Sequence, residues 1–438
     1  MEHRTHARAL HPHRRTWAIA SACIAAVCCT AVVLLIAAPG VQGKAGAAAD
    51  SAAGSALSPE AELGRQIFFD RSLSASGRMA CATCHDPHFA YGPPNGKAVQ
   101  DGGPALKSPG YRAVPSLRYV LNYVPVWTHV RDTNPIEQLT EADTSPAGGY
   151  TWDGRYNTLS AQAMLPFFSP VEMGNGNVAE LAGRLKHAAY ADTFRAVFGK
   201  QIFDNPAQAV QKAAHALEQF ELQDKSFHPY TSKFDRWLDG KASLTAQELR
   251  GMRLFDDPDK GNCASCHLDQ KGANGAHPIF TDFQFEALGV PRNNAISWNA
   301  DPHYDDMGLC GPFRNDAASK DQTNCGLFRT PTLRNTAIRT VFFHNGAFHS
   351  LREALRFYVE RDTNPEKWYP AGPDGKVEKF NDLPLRYRRN VDTFDSPLNL
   401  HRGQKPVWNE QDIDDVIAFL KTLVDEDVVN KEGTANAR

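Results

Sequence analysis

The sequence predicts a mainly α-helical, loop-rich fold in which two halves repeat one plan. Three observations predict it. A pentapeptide occurs twice, as Cys81-Ala82-Thr83-Cys84-His85 and as Cys263-Ala264-Ser265-Cys266-His267. Each copy follows a stretch of helical periodicity that ends in phenylalanine, Glu62-Leu63-Gly64-Arg65-Gln66-Ile67-Phe68-Phe69 and Glu248-Leu249-Arg250-Gly251-Met252-Arg253-Leu254-Phe255. The 28 prolines and 32 glycines break the rest of the chain into short helices joined by ordered loops.

In C-x-x-C-H, two thiols two residues apart reach the vinyl groups of one haem, and the adjacent histidine offers an axial nitrogen to its iron. At this chain's cysteine and histidine content, chance supplies roughly 0.007 copies. A zinc knot or a pair of disulfides would use the thiols but leave the repeated histidine unexplained. The expectation is therefore two covalently bound haem c groups, attached at Cys81, Cys84, Cys263 and Cys266, with His85 and His267 as axial ligands. Cys23, Cys28 and Cys29 lie in an apolar run and carry no chemistry. Cys310 and Cys325 read as a disulfide closing a loop of about 15 residues, worth about 3 kcal/mol.

The chain opens with His3, Arg4, Arg8, Arg14 and Arg15, then an uncharged apolar run over 16–38 and the A-x-A-like Ala47-Ala48-Ala49. Residues 1–49 read as a signal peptide or an N-terminal membrane anchor, and either exports the rest of the chain. Residues 50–57 read as a linker. The first half spans 58–230. Ser58-Pro59-Glu60 starts its first helix, Pro59–Phe69, and 86–115 forms an irregular loop. After Tyr150-Thr151-Trp152-Asp153-Gly154-Arg155 come a helix from Thr158 and helical patterns over 178–198 and 206–223. The second half spans 231–438. It has capping boxes at Thr245–Glu248 and Ser350–Glu353, and the second opens a stripe of Leu351, Ala354, Leu355, Tyr358 and Val359. An amphipathic helix over 409–424 comes last. The net charge of −3 points to no nucleic-acid partner.

Read alone, Trp152 is a core tryptophan and Glu172 a loop carboxylate, while Tyr358 is either packing or a ligand. The motifs change that. W-D-G-R at 152–155, a glutamine ten residues on at 162, P-x-E-M at 170–173, P-T-L-R-N at 331–335 and F-H-N-G at 343–346 resemble the bacterial di-haem cytochrome c peroxidase and MauG family over 58–425. The resemblance implies two cytochrome-c-like domains with one haem each, the first binding peroxide and the second transferring electrons. It makes His85 and His267 proximal ligands and Trp152 the relay between the haems. Gln162, Pro166 and Glu172 become the distal pocket, with Glu172 moving a proton between the peroxide oxygens. Tyr358 matches a second-haem ligand that is methionine in the peroxidase branch and tyrosine in the MauG-like branch; Met307 does not match that position.

Two family features differ. The loop histidine that blocks the first haem in many peroxidases reads Asp101, and His88 is only three residues past His85. The inter-domain calcium site reads Ala113, Arg339 and Val341, leaving backbone carbonyls as its oxygens. The implied function is a periplasmic peroxidase that reduces hydrogen peroxide with electrons from a small cytochrome c or cupredoxin. Tyr358 points to the MauG-like alternative, peroxide-driven oxidation of a partner protein's side chains. A non-enzymatic di-haem electron carrier is the third reading.

Overall fold

Helix ends in this chain are set by polar side chains, and those ends fix where the functional loops leave. The computed structural model describes residues 56–119, 123–129, 145–272 and 274–428. The expected signal or anchor segment, and the linker as far as Ser55, lie outside the described residues. Helix α1 (Pro59–Phe69) starts where the Ser58 hydroxyl accepts from the Ala61 N–H. Helix α2 (Cys81–Cys84) is a single turn. Helix α3 (Leu159–Phe168) is capped by Thr158. The pattern over 178–198 resolves into two helices, α4 (Val178–His187) and α5 (Ala191–Phe198). The chain turns between them because Ala188 is extended and the Tyr190 hydroxyl reaches across to Asp70 at 2.8 Å. Helix α6 (Pro206–Gln223) closes the first half.

The second half repeats the arrangement with α7 (Lys233–Leu238), α8 (Ala246–Asp256), α9 (Leu351–Glu360) and α10 (Glu410–Lys421). Thr245 and Glu248 form a complete capping box. Ser350 caps α9, but Glu353 accepts from the His349 N–H rather than the Ser350 N–H, so that box closes one residue early. Two minimal antiparallel ladders pin loops to this frame. Strand β1 (Asp101–Gly102) pairs with β2 (Ser108–Pro109), and β3 (Phe285–Glu286) pairs with β4 (Phe328–Arg329). Cys310 and Cys325 are bonded, closing a loop across a sequence separation of 15.

The duplication shows in the packing. A Cβ added at Gly64 would lie 1.9 Å from the Ala216 carbonyl oxygen and 2.9 Å from the Phe220 Cβ. One added at Gly251 would lie 1.9 Å from the Asp415 oxygen and 3.0 Å from the Phe419 Cβ. Only glycine lets α1 approach α6, and α8 approach α10, this closely. One turn on, Phe68 meets Phe220 at 5.6 Å and Phe255 meets Phe419 at 5.3 Å, both rings inclined at 60°. The equivalent residues are thus Gly64 with Gly251 and Phe68 with Phe255. That is one residue out from the pairing of Phe69 with Phe255 read in the sequence, and Phe69 is in fact exposed.

Apolar side chains gather in separate clusters. One runs from Leu63 to Phe227 and takes in Phe283; another runs from Phe234 to Leu423. Each Leu or Phe buried there is worth about 1.5–3 kcal/mol. A polar knot ties the far ends together. Arg118 donates to Asp425 and Asp427, the Tyr119 hydroxyl to Asp425 at 2.7 Å, and the Asn335 amide to Asp425 at 2.7 Å. No helix among the described residues is long and apolar enough to cross a membrane.

Candidate active site

Both pentapeptides sit in cradles of the same design. The His85 N–H donates to the Cys81 carbonyl at 2.9 Å, and the His267 N–H to the Cys263 carbonyl at 2.8 Å. His85 Nδ1 donates to the Tyr91 carbonyl at 3.1 Å and His267 Nδ1 to the Phe280 carbonyl at 3.0 Å. Carbonyls only accept, so each ring carries its proton on Nδ1 and leaves Nε2 free as a ligand. Burial depresses both imidazoles to about 4, which keeps them neutral. Tyr91 and Phe280 share a φ of 55°, a left-handed conformation costly for an aromatic residue. Matching bonds hold it: the Ser116 hydroxyl donates to the Ala90 carbonyl and the Thr332 hydroxyl to the Ile279 carbonyl, both at 2.6 Å. Val114-Pro115-Ser116-Leu117-Arg118 and Thr330-Pro331-Thr332-Leu333-Arg334 are therefore one repeated element. Only the second copy stood out in the sequence, although the P-S/T-L-R pattern was there to be seen twice.

One cavity of about 520 Å³ touches both cradles and is also lined by Trp152, Gln162, Pro166, Glu172 and Tyr358. The four thiols facing it are unpaired, and burial pushes each up to about 12.

The Glu172 segment is built by a proline. Pro166 lies inside α3, has no N–H, and so leaves the Gln162 carbonyl one turn earlier without its helical donor. Beyond the helix the chain folds back. Glu172 N donates to the Ser169 carbonyl at 3.0 Å, Met173 N to Pro166 at 3.0 Å and Asn175 N to Phe167 at 3.1 Å. Gly103 N then donates to the Glu172 carbonyl at 2.7 Å, and a Cβ on Gly102 would lie 2.2 Å from the Val171 oxygen. Burial pushes the Glu172 carboxyl up to about 7, while the Arg155 guanidinium pulls it down. Arg155 is itself held at 2.6 Å by Asp153. A carboxyl half-ionised near neutrality can accept a proton and give it back.

Asp101 pairs with Lys97 at 2.7 Å, and the exposed His88 ring holds Asp86 at 2.8 Å. Neither lines the cavity. Trp152 is fixed at both ends: its indole N–H donates to the Ala113 carbonyl at 2.9 Å, and its own carbonyl accepts from Arg329 N at 2.9 Å. Tyr358 projects from α9, its ring 5.7 Å from Phe343. Burial, then the nearby Cys263 and Cys266, hold its phenol well above the usual range. It stays a neutral hydroxyl unless a cation faces it. Met307 packs in an apolar cluster and is not among the cavity residues.

Residues 58–243 match the family model described as di-haem cytochrome c peroxidase. The methylamine utilization protein MauG of Paracoccus denitrificans is 33% identical over 416 residues, covering 91% of this chain and 95% of that protein. The chain belongs to the di-haem cytochrome c peroxidase and MauG family. The cytochrome c551 peroxidase of Nitrosomonas europaea is 28% identical, covering 71% of this chain and 78% of that one. The diheme peroxidase BthA of Burkholderia thailandensis superposes with a TM-score of 0.75 at 36% identity, covering 86% of this chain and 88% of that one. The protein is thus a di-haem peroxidase of mainly helical fold, an oxidoreductase acting on peroxide, and the family implies two haem c groups.

The residues fit those groups. Each cradle offers two unpaired thiols and one neutral imidazole. The cavity wall also carries two partly buried guanidiniums. Arg329 bonds the Gly149 carbonyl, Arg339 bonds the carbonyls of Val114 and Val341, and among the described residues neither pairs with a carboxylate. Burial lowers both to about 10. A macrocycle bearing two propionates brings the anions they lack. No cluster of three or more His, Cys, Asp or Glu among the described residues could hold a metal ion, so a zinc knot has no ligand set. Calcium fits poorly. Ala113 has no side-chain oxygen, and the Arg339 guanidinium already occupies the Val341 carbonyl, 3.3 Å from its Nε.

Sequence reasoning missed Arg329 and Arg339, and also Glu221. Glu221 is a carboxyl on the apolar face of α6 that lines the cavity beside Cys81. A charged residue one turn after Leu217 in an otherwise apolar stripe was the available signal.

Proposed function

We propose that the enzyme reduces hydrogen peroxide in the half formed by 58–230, where Cys81 and Cys84 would hold one haem covalently and His85 would offer its Nε2 to the iron. In the half formed by 231–438, Cys263 and Cys266 would hold a second haem, His267 and Tyr358 would offer ligand atoms to its iron, and electrons would enter on that side. The observation that carries this reading is the single cavity that meets both pentapeptides and is lined by Glu172, Trp152 and Tyr358. When bound, each haem supplies an iron that exchanges single electrons. The chain supplies the rest. Ionised Glu172 takes a proton from one peroxide oxygen and returns it to the other, which leaves as water. Arg155 holds Glu172 low enough to ionise near neutrality, and Gln162 and Pro166 shape the pocket beside it. Trp152, pinned by the Ala113 carbonyl, relays electrons between the halves. The donor is a small reduced cytochrome c or cupredoxin docking outside the cavity. The chain works in the periplasm, exported by residues 1–49, which act as a signal peptide or a membrane anchor; the bonded Cys310 and Cys325 suit that oxidising compartment.

A pyridine haemochrome assay, followed by mixing of the ferric enzyme with peroxide, tests the reading. Two covalent haems per chain and a spectral response support it. Two low-spin haems unchanged by peroxide mean an electron carrier instead. Tyr358, standing where the peroxidase branch has methionine, favours a second reading, MauG-like oxidation of a partner protein. Peroxide turnover that runs on an exported partner but not on a small reduced donor would establish it.

A further inference from the structure

Reducing one peroxide to two waters consumes two electrons and two protons. Glu172 moves a proton already on the peroxide, so the net protons must enter by another way. We propose that Glu221 is a proton store for the peroxide-reducing half, delivering a proton into the cavity and refilled from solvent through Glu218 and His215. This rests on the assignment of peroxide reduction to the half that carries Cys81 and His85.

Three features of α6 carry the inference. Glu221 is 6% exposed, lines the cavity, and has its Oε2 without a hydrogen-bond partner. Its charge reaches the Cys81 thiol and Tyr150, both also on the cavity wall. One turn back, Glu218 sits roughly 5–6 Å away between Cβ atoms, a gap that one water bridges. Another turn back, the half-exposed His215 ring completes the path. Its Nδ1 is 2.9 Å from Glu218 Oε2 and its Nε2 is 3.5 Å from Glu60 Oε1, at the surface.

The surroundings keep the store loaded. Glu218 on the same helix and Tyr150 are the titratable groups in reach, neither is cationic, and Cys81 carries no proton once its sulfur is bonded to haem. Helix α3 carries no ionisable side chain, and Glu62 and Arg65 of α1 pair with each other at the surface. Of the ionisable groups of α4, Glu180 bonds Gly176 and Asn177, Arg184 the Ser72 carbonyl and His187 the Gly183 carbonyl, while Lys186 faces solvent. An unpartnered buried carboxylate costs several kcal/mol, so the neutral acid is favoured. Burial, then Glu218, push Glu221 up to about 8. At neutral pH the group holds its proton. In turnover the carboxylic acid gives that proton to cavity water. The peroxide oxygen left behind, not the one that leaves with the proton moved by Glu172, receives it and, after refilling, a second, while the donor protein supplies the two electrons. The Glu221 carboxylate is then reprotonated through Glu218 from His215, which takes a proton from solvent.

The test uses the full holoenzyme and Glu221→Gln, with haem content measured first. We expect kcat about 10-fold lower at pH 7 with the KM for peroxide unchanged, less than the roughly 10²–10⁴ of a directly positioned acid–base group because water still delivers protons slowly. The solvent isotope effect should grow. Infrared difference spectra between about pH 6 and pH 9 should lose one protonated-carboxyl band that Glu172→Gln keeps. Unchanged kcat, isotope effect and band, at full haem content, overturn the proposal. If Glu221→Gln fails to take up haem, Glu218→Gln and His215→Asn decide, since either must slow refilling and an unaltered isotope effect in both overturns the inlet. A wild-type chain with fewer than two haems would instead sink the underlying assignment.

Discussion

Replacing Glu172 by glutamine separates catalysis from stability, because the group that should drive the chemistry is also a burden on the fold. The rise from 4.5 to about 7, caused by burial and opposed by Arg155, corresponds to roughly 3 kcal/mol between the two protonation states. Between those pH values the folded chain keeps a proton that the unfolded chain releases. Stability therefore falls as pH rises through this window and is flat below it. Glutamine keeps the shape and never ionises, so above pH 7 the variant should be more stable, by up to about 3 kcal/mol. The peroxide step should slow by about 10²–10⁴, or about 3–5 kcal/mol of barrier. In the wild type that step should quicken with pH and level off above about 7, because the base must be ionised. Stopped-flow mixing with peroxide at a series of pH values, beside thermal melts of both proteins, reads the two effects. A flat pH profile together with an unchanged melting point would show that Glu172 is neither desolvated in the cavity wall nor used as a base.

Other expectations come from neighbouring contacts. Gly102→Ala puts a methyl 2.2 Å from the Val171 oxygen and 2.8 Å from the Glu172 Cα, so the Glu172 turn must shift; the peroxide step should lose about 10²-fold while both haem spectra persist. Tyr358→Met should raise the second haem's reduction potential in a redox titration, and an unshifted potential would reduce Tyr358 to packing. The ferric enzyme should react with peroxide at once, since Asp101 is held by Lys97 and His88 by Asp86, away from the cavity. A lag abolished by pre-reduction would reveal a different gating residue.

How far the sequence could be read depended on whether a residue's role is local. Thr245 with Glu248, Asn409 before α10 and the C-x-x-C-H turns announce themselves because capping and thiol spacing act over a few residues. The split between α4 and α5 was hidden, since it depends on Tyr190 meeting Asp70, 120 residues away. The internal repeat was found but one residue out of register. Charged positions drew the eye to Glu62 and Glu248, whereas the contacts that matter are glycine on carbonyl, which composition does not mark. Arg329 and Arg339 look like ordinary arginines until their lack of carboxylate partners is seen in three dimensions.

The knot at Asp425 bears on how the chain is made. Arg118 and Tyr119 belong to the loop that completes the cradle of His85, yet their partner lies 307 and 306 residues further on. A chain made from its N-terminus presents Cys81 and Cys84 long before Asp425 appears. Through that interval the first cradle is an open loop, accessible to whatever delivers its cofactor. The second cradle has an earlier partner, since Arg334 closes on Asp235, 99 residues before it, but its Asn335 amide also waits for Asp425. Asp425, which bonds Arg118 and Tyr119 on one side and Asn335 on the other, is thus a late latch shared by both cradles.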